Sequence, residues 1–506
     1  MNLAHLLLRG ARRADGAPAW KYGTRTATYA ELLDRVSRLS AGLGQLGLHP
    51  GDRVILDVPN TPELLELLWA CFWGGYVAVP VNWHLHPQEV GYIAGHSSAA
   101  AILLADETAE HRAALPDTVQ VLSDSGGLGV ALAEIAAAPR APLSEVSPED
   151  PAWLFYTSGT TGRPKGATLS HRNLMAMTLS YYADLDPVPA GSVFLHAAPL
   201  THGSGLYLLP ATGRGATNVI MAGRRFDAGA YLDLLAAEGA THAAFLAPTM
   251  LNRVLAAARA GDDRLATLRS VVVGGAPFYR DDVARAQRCL GPIVSQIYGQ
   301  GEAPMTITVL PAGECAGTRL TSCGRPFTGV ALRVADPAGA EVPAGQAGEV
   351  WVRGDVVMAG YWDNPTATSQ ALAGGWLRTG DIGRLDDDGY LYLTDRAKDV
   401  IITGGSNVYP REVEEVLLTH PAVRDVAVIG EPDQEWGESI CAVVVAGESL
   451  AVTVDELLAH CAGQLASFKK PRRFVFVPAL PKNATGKVLK RELRRLHARA
   501  GAEPSP

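Results

Sequence analysis

Residues 156–166 read YTSGTTGRPKG and directly follow the apolar run Trp153, Leu154, Phe155. That order predicts a strand delivering a turn-rich loop dense in hydrogen-bond donors. Gly159, Gly162 and Gly166 let the backbone turn so that several N–H groups face one concavity. Thr157, Ser158, Thr160 and Thr161 add hydroxyl donors, and Arg163 and Lys165 add charge-assisted donors for phosphate oxygens. The P-loop pattern G-x-x-x-x-G-K-[ST] does not fit, because Gly159 and Gly162 are too close and Gly166 follows Lys165 where Ser or Thr is required. A P-loop also runs straight into a helix. Here Ala167, Thr168 and Leu169 read as a second short strand, and only then does Ser170 read as the N-cap of a helix through Asn173 and Met177. The plain alternative is a Ser/Thr/Gly linker. Linkers rarely close on Pro-Lys-Gly between apolar strands, so the run reads as a polyphosphate-binding loop.

A chain of 506 residues exceeds one hydrophobic core, so two or more domains are expected. With 47% hydrophobic and 19% charged residues it reads as a soluble globular protein. A net charge of −8 gives no overall nucleic-acid surface. The basic run 487–499 reads as a solvated helix face, with some cations able to meet an anion. Six cysteines without a C-x-x-C pair suit a reducing cytosol and unpaired thiols. Residues 1–13 lack a signal-peptide layout. The apolar stretch 64–81 is interrupted by Glu66, Gly74, Gly75 and Pro80, so it reads as a buried helix running into a strand rather than a membrane span. A cytoplasmic location is expected.

Helix and strand patterns alternate along residues 1–136: a helix over 29–46, a strand over 54–58, a helix over 62–73, and strands over 77–81 and 101–104. This alternation predicts a mostly parallel sheet covered by helices. A second α/β run follows the glycine loop, with strands over 192–197, 242–246, 270–273 and 293–298 and helices over 231–238 and 248–259. From about residue 323 short strands alternate with Gly/Pro/Asp turns, which predicts a small antiparallel barrel or meander. Residues 386–389 form its hairpin turn. Beyond Asp395 a helix over 410–418, strands over 423–429 and 441–445, a helix over 454–465 and a strand over 474–477 predict a small α+β domain.

Further clusters downstream of the loop occur in the order and spacing of one family. They are residues 199–206 (PLTHGSGL), 274–277 (GGAP), 298–302 (YGQGE), 376–381 (WLRTGD), 395–399 (DRAKD), 404–410 (GGSNVYP) and 481–487 (PKNATGK). From Tyr29 to Arg494 the chain resembles the adenylate-forming superfamily of acyl-CoA synthetases, aryl-CoA ligases, adenylation domains and luciferases. The resemblance implies an α/β fold. A large N-terminal domain, 1–397, would hold two α/β sheet subdomains plus a small β-barrel. A smaller mobile α+β C-terminal domain, 398–506, would carry the catalytic lysine.

Residue roles follow from the same resemblance. Thr157, Ser158, Gly159, Thr160, Thr161 and Lys165 would hold the phosphates of ATP. His202 would lie beside the substrate carboxylate. Gly274, Gly275 and Ala276 would lie against the adenine and the acyl group. Tyr298 would stack near the adenine, within the segment that also holds Gly299, Gln300 and Gly301. Glu302 would hold Mg²⁺ through hard oxygen ligands. Asp381 would accept hydrogen bonds from both ribose hydroxyls, reinforced by Arg396. Lys487 would bridge the carboxylate and the α-phosphate. Lys398 would be the hinge, and Gly404 and Gly405 would line the path of the acceptor. One departure stands out: Gly301 occupies the place of a Thr, which either leaves space for a water or another substrate group or marks tolerated drift.

The implied reaction is ATP-dependent activation of a carboxylic acid as an acyl-adenylate with pyrophosphate release, then transfer to CoA. The alternatives are a non-CoA acceptor (a carrier-protein thiol, an amine or a small oxyanion) and a nucleotide-binding homologue without turnover. The pocket candidates His202, Gly203, Ser204, Leu208, Phe245, Gly274, Ala276, Gly299, Gly301, Pro304 and Met305 are small or apolar. They point to an aryl or medium aliphatic acid. Partners beyond that acid are not implied: no nucleic acid, no membrane span, and a monomer or homodimer.

Overall fold

The structure is a computed structural model. It describes residues 1–14, 16–123, 128–157, 164–223, 225–259, 261–276, 278–396, 399–403, 406–433, 436–447, 452–462, 464–465, 467–482 and 487–498. Four sheets organise them. The first has seven strands in the order Gly360–Tyr361, Lys165–Ser170, Pro151–Thr157, Val77–Pro80, Arg53–Asp57, Ala101–Leu104, Gln120–Leu122. From Pro151–Thr157 to Gln120–Leu122 every pairing is parallel. Val77–Pro80 and Ala101–Leu104 are buried at every position, as expected of parallel strands covered on both faces.

The second sheet has nine strands, in the order Arg325–Pro326, Ala303–Leu310, Val294–Gln300, Ser270–Val273, His242–Leu246, Val193–His196, Thr217–Ile220, Pro18–Tyr22, Arg25–Thr28. Its interior is parallel from Val294–Gln300 to Pro18–Tyr22, and both edges are antiparallel. The Pro18–Tyr22 hairpin therefore belongs to the second sheet although it precedes the first in sequence. Helix Pro62–Gly74 runs between the two sheets and touches strands of both. It is buried nearly all round, which explains its apolar run. No helix among the described residues is long and apolar enough to cross a membrane.

The strands expected to form a small barrel are present as a five-stranded antiparallel sheet. Its linear order is Val330–Ala335, Gly348–Gly354, Trp376–Leu385, Leu372–Ala373, with Leu391–Arg396 also on Trp376–Leu385. The fourth sheet pairs Ser406–Val408, Ile401–Thr403, Gly437–Ala446 and Val423–Asp433, with Arg473–Phe476 parallel to Gly437–Ala446. Helices Pro410–Leu418 and Val454–Ala462 bury Val413, Leu417 and Leu457 against Val426, Val428 and Val444. The six cysteines are unpaired.

Candidate active site

The glycine loop is slung from an antiparallel hairpin in which Thr157 pairs with Lys165. Ser158, Gly159, Thr160 and Thr161 lie outside the described residues. The two feet of the loop are tied to surrounding elements. Thr157 Oγ1 donates a long 3.4 Å hydrogen bond to Glu302 Oε1, and the Tyr361 hydroxyl donates to the same oxygen at 2.7 Å. The Lys165 ammonium lies 5.1 Å from the centre of the Tyr361 ring. Helix Pro87–Ser97 adds a brace that the sequence reading missed. Tyr92 OH donates to the Pro164 carbonyl at 3.2 Å, and His96 Nδ1 lies 2.8 Å from Tyr156 OH. The i, i+4 spacing of Tyr92 and His96 was the available signal. Ser170 caps helix His171–Asp184 through a reciprocal pair with Asn173, as its position in the sequence suggested.

Tyr298, Gln300 and Asp381 form one polar cluster. Tyr298 OH donates to Asp381 Oδ2 at 2.6 Å, and Gln300 Nε2 reaches the same oxygen at 2.5 Å and the Thr379 carbonyl at 3.0 Å. Burial, then the charge of Asp381, holds the Tyr298 phenol well above its usual pKa, so it stays a donor. Asp381 pairs in register with Arg396 on the neighbouring strand. Between Tyr298 and Gln300 the register shifts, so that Gly299 alone stands opposite residues 304–307 of the neighbouring strand. A Cβ on Gly299 would lie 2.5 Å from the Met305 amide nitrogen, and Met305 itself adopts φ +62°. A non-glycine residue in that region is strained. Gly274 is tight for a similar reason: a Cβ there would lie 2.7 Å from Ile297 Cδ1.

A cleft of about 1470 Å³ is lined by Gly274, Gly275, Ala276, Tyr298, Gly299, Gln300 and Asp381 on one side. Lys482, Lys487, Lys490 and Arg494 line it from the C-terminal side. Lys487 thus shares a cleft with the cluster around Asp381. The last helix, Lys490–Ala498, is no purely solvated face: Lys490 Nζ pairs with Glu414 Oε1 at 2.9 Å and Arg494 with Asp399 Oδ1 at 2.8 Å. Glu414 is buried, accepts from the Val428 amide at 2.8 Å, and meets Tyr279 OH at 3.3 Å across the cleft. Lys398, Gly404 and Gly405 lie outside the described residues, and so does the side chain of Arg396.

His202, Glu302 and Gly301 gather around Phe155 and Thr157. The His202 ring meets Phe155 edge-on, centroids 5.4 Å apart, and its Nδ1 lies 2.9 Å from Thr201 Oγ1. The ring is partly accessible, yet the protein packed round it lowers its pKa to about 4. It is therefore neutral near pH 7.

Behind it runs a buried relay the sequence did not disclose. Asn218 Nδ2 donates to the Ala19 carbonyl at 2.9 Å, which turns Oδ1 toward His196 Nε2 at 3.1 Å. An amide oxygen only accepts, so Nε2 carries the proton and Nδ1 accepts from Ser204 Oγ at 2.9 Å. His196, Ser204 and Asn218 have no exposed surface, and burial lowers the His196 pKa to about 4. The relay ties helix Gly203–Leu206, which begins beside His202, to the second sheet.

The open space expected at Gly301 is not present. A Cβ there would lie 2.5 Å from Thr157 Cγ2 and 2.8 Å from Phe155 Cδ1. The ring and the methyl group already occupy the volume.

Two α/β sheets, a glycine-rich segment carried by an antiparallel hairpin, and a C-terminal lysine lining the same cleft as a buried aspartate describe one class of protein, the adenylate-forming superfamily. The chain belongs to the AMP-binding enzyme family, whose model matches residues 7–362, with the AMP-binding enzyme C-terminal domain matching residues 412–487. It is 39% identical over 491 residues to a feruloyl-CoA synthase of Amycolatopsis sp, covering 96% of this chain and 97% of that one. It is 36% identical over 493 residues to the fatty acid–[acyl-carrier-protein] ligase ScoC of Streptomyces coeruleorubidus, covering 96% and 94%. Among solved structures, ATP-bound MatB from Rhodopseudomonas palustris matches with a TM-score of 0.89 at 32% identity, over 98% of this chain and 99% of that one. The apo form of MatB matches at 0.78, with 32% identity over 99% and 100%.

Proposed function

We propose that the protein is an AMP-forming acid–CoA ligase acting on an aryl or medium aliphatic carboxylic acid. The observation that carries this is Lys487 in one cleft with Tyr298, Gln300 and Asp381. Relatives named as CoA ligases support the reaction class, and the feruloyl-CoA synthase supports the aryl end of the range.

In the first half-reaction a carboxylate oxygen attacks the α-phosphorus of ATP, and pyrophosphate leaves. The protein's part is positioning and charge neutralisation. Asp381, its Oδ2 held by Tyr298 and Gln300, accepts from the ribose. Arg396 lies beside it in the sheet. Gly274, Gly275 and Ala276 let the nucleotide and acyl group approach the backbone. Thr157, Ser158, Gly159, Thr160, Thr161 and Lys165 take the β- and γ-phosphates. Lys487 neutralises charge growing between carboxylate and α-phosphate. Neutral His202 packs beside the carboxylate without adding a second charge.

Glu302 fits a Mg²⁺ site by its donors. One carboxylate oxygen already faces two hydroxyls, and no group of three or more His, Cys, Asp or Glu residues placed to hold a metal occurs among the described residues. One carboxylate completed by substrate phosphates is the way Mg²⁺ is commonly held. When bound, it would neutralise phosphate charge.

In the second half-reaction the CoA thiol attacks the acyl carbonyl and AMP leaves. Residues 398–506 would turn about Lys398 relative to 1–397, withdrawing Lys487 and presenting Gly404 and Gly405. The higher match to ATP-bound than to apo MatB supports a nucleotide-ready arrangement here. Unpaired cysteines suit a reducing cytoplasm.

A carrier-protein thiol is the second reading of the acceptor, favoured by the relative ScoC. Acid-dependent pyrophosphate release over a panel of aryl and alkyl acids, with and without CoA, tests both. CoA thioester formation with an aryl acid is expected. Release without any CoA thioester would favour the carrier protein, and no release with any acid would remove the ligase reading.

A further inference from the structure

Gly301 is not required by backbone conformation, because its φ is not among the positive ones. What requires a glycine is volume. The position a Cβ would take lies 2.8 and 3.2 Å from Phe155 Cδ1 and Cε1, and 2.5 Å from Thr157 Cγ2. Nor has the Phe155 ring an easy retreat. Trp153, two residues earlier on the same face of the strand and fully buried, stacks against it at 6.4 Å and 24°. The ring also meets His202 edge-on at 5.4 Å and 82°. Phe155 is only half-buried, so part of its ring stays accessible beside His202, the residue the family resemblance places next to the substrate carboxylate. A flat ring held in this way is a wall against which a flat group stacks more readily than a branched one.

We infer that Phe155 and Gly301 are a size-complementary pair, and that together they make this enzyme select acids planar at the carbons next to the carboxylate over acids branched there. Phe155 acts here as a specificity-determining wall, and Gly301 is the positioning residue that lets it stand where it does. The substrate part of this inference rests on the ligase reading above; the packing part does not.

Three variants, G301T, F155L and F155L/G301T, test both parts. Melting temperature reads the packing without reference to any substrate. G301T alone should lower Tm by about 2 °C or more through overpacking, and F155L, which relieves the Phe155 contacts but not the one to Thr157 Cγ2, should restore part of that loss in the double variant. Strictly additive losses would overturn the pair, whatever the enzyme's reaction proves to be.

Steady-state kinetics then reads specificity, with an aryl acid and an α-methyl-branched aliphatic acid as probes. G301T should raise the KM of the aryl acid about tenfold, and adding F155L should lower it again without a matching change in the KM of ATP. F155L should shift the ratio of kcat/KM toward the branched acid by about tenfold. An aryl-acid KM that G301T leaves unchanged, or an unchanged ratio for F155L, would overturn the specificity assignment. If no acid supports pyrophosphate release even in the parent protein, the ligase reading fails, and the Tm cycle still judges the pair.

Discussion

Lys487 reaches the cleft from a segment remote in sequence from the other residues that line it, and its role is electrostatic. Lys487→Ala should slow adenylate formation by about 10² or more, because a preorganised charge at the reacting phosphate is lost. Thioester formation from a supplied acyl-adenylate should be nearly unaffected, and single-turnover assays of the two half-reactions separate these outcomes. Equal loss in both would contradict the role. His202 makes a second residue-scale prediction. Burial lowers its pKa from the usual 6.5 to about 4, so it gains no proton until the solution is well below pH 6. The sign for stability follows: the unfolded chain takes up that proton between pH 6.5 and about 4, so this residue's contribution is present above 6.5 and lost as pH falls through that window. Nitrogen-15 NMR of the histidine rings should show His202 neutral at pH 6. A titration midpoint near 6.5 would contradict the buried setting.

At the scale of elements, the site depends on supports that surround its motifs. The relay Ala19–Asn218–His196–Ser204 fixes the start of helix Gly203–Leu206. Asn218→Ala leaves the buried His196 Nε2–H without its acceptor, which should cost about 1–3 kcal/mol of stability. It should also raise the KM of the acid more than that of ATP, as measured below the melting transition. A change confined to stability would make the relay a core feature only. Much of the architecture was legible where periodicity or turn chemistry was strong. Helices Tyr29–Gln45 and Pro410–Leu418 and strands Ala101–Leu104 and Ser270–Val273 carry their patterns on their own residues. The relay was not legible, because His196, Ser204 and Asn218 meet only when three elements pack: Ser204 stands among the pocket candidates in the sequence yet is fully buried, and His196 and Asn218 alone look like ordinary core polar residues. The Pro18–Tyr22 hairpin was missed for a related reason: its place in the second sheet comes from pairing with Thr217–Ile220, far along the chain. At Gly301 the sequence marked the position but not its meaning, since Gly301 lies in a turn of the second sheet and the occupant of the space, Phe155, belongs to a strand of the first.

For the whole molecule, contacts between the two parts hold one arrangement: Tyr279 OH to Glu414, and Arg411 to the Leu393 carbonyl at 3.3 Å, with Lys487 lining the same cleft as Asp381. A reaction in two steps with different nucleophiles needs this arrangement to be left after the first. Lys398→Pro, which restricts the backbone at the proposed hinge, should spare adenylate formation and slow thioester formation. Rapid-quench measurement of each half-reaction checks it, and equal slowing of both would place the hinge elsewhere. The central claim is that the carboxylate itself attacks the α-phosphorus of ATP, and oxygen labelling tests that most directly. The acid is supplied with oxygen-18 in its carboxylate, together with ATP and CoA, and the AMP is analysed by mass spectrometry. One labelled oxygen per AMP is the predicted result. AMP without label, or label in inorganic phosphate with ADP as the nucleotide product, would contradict it.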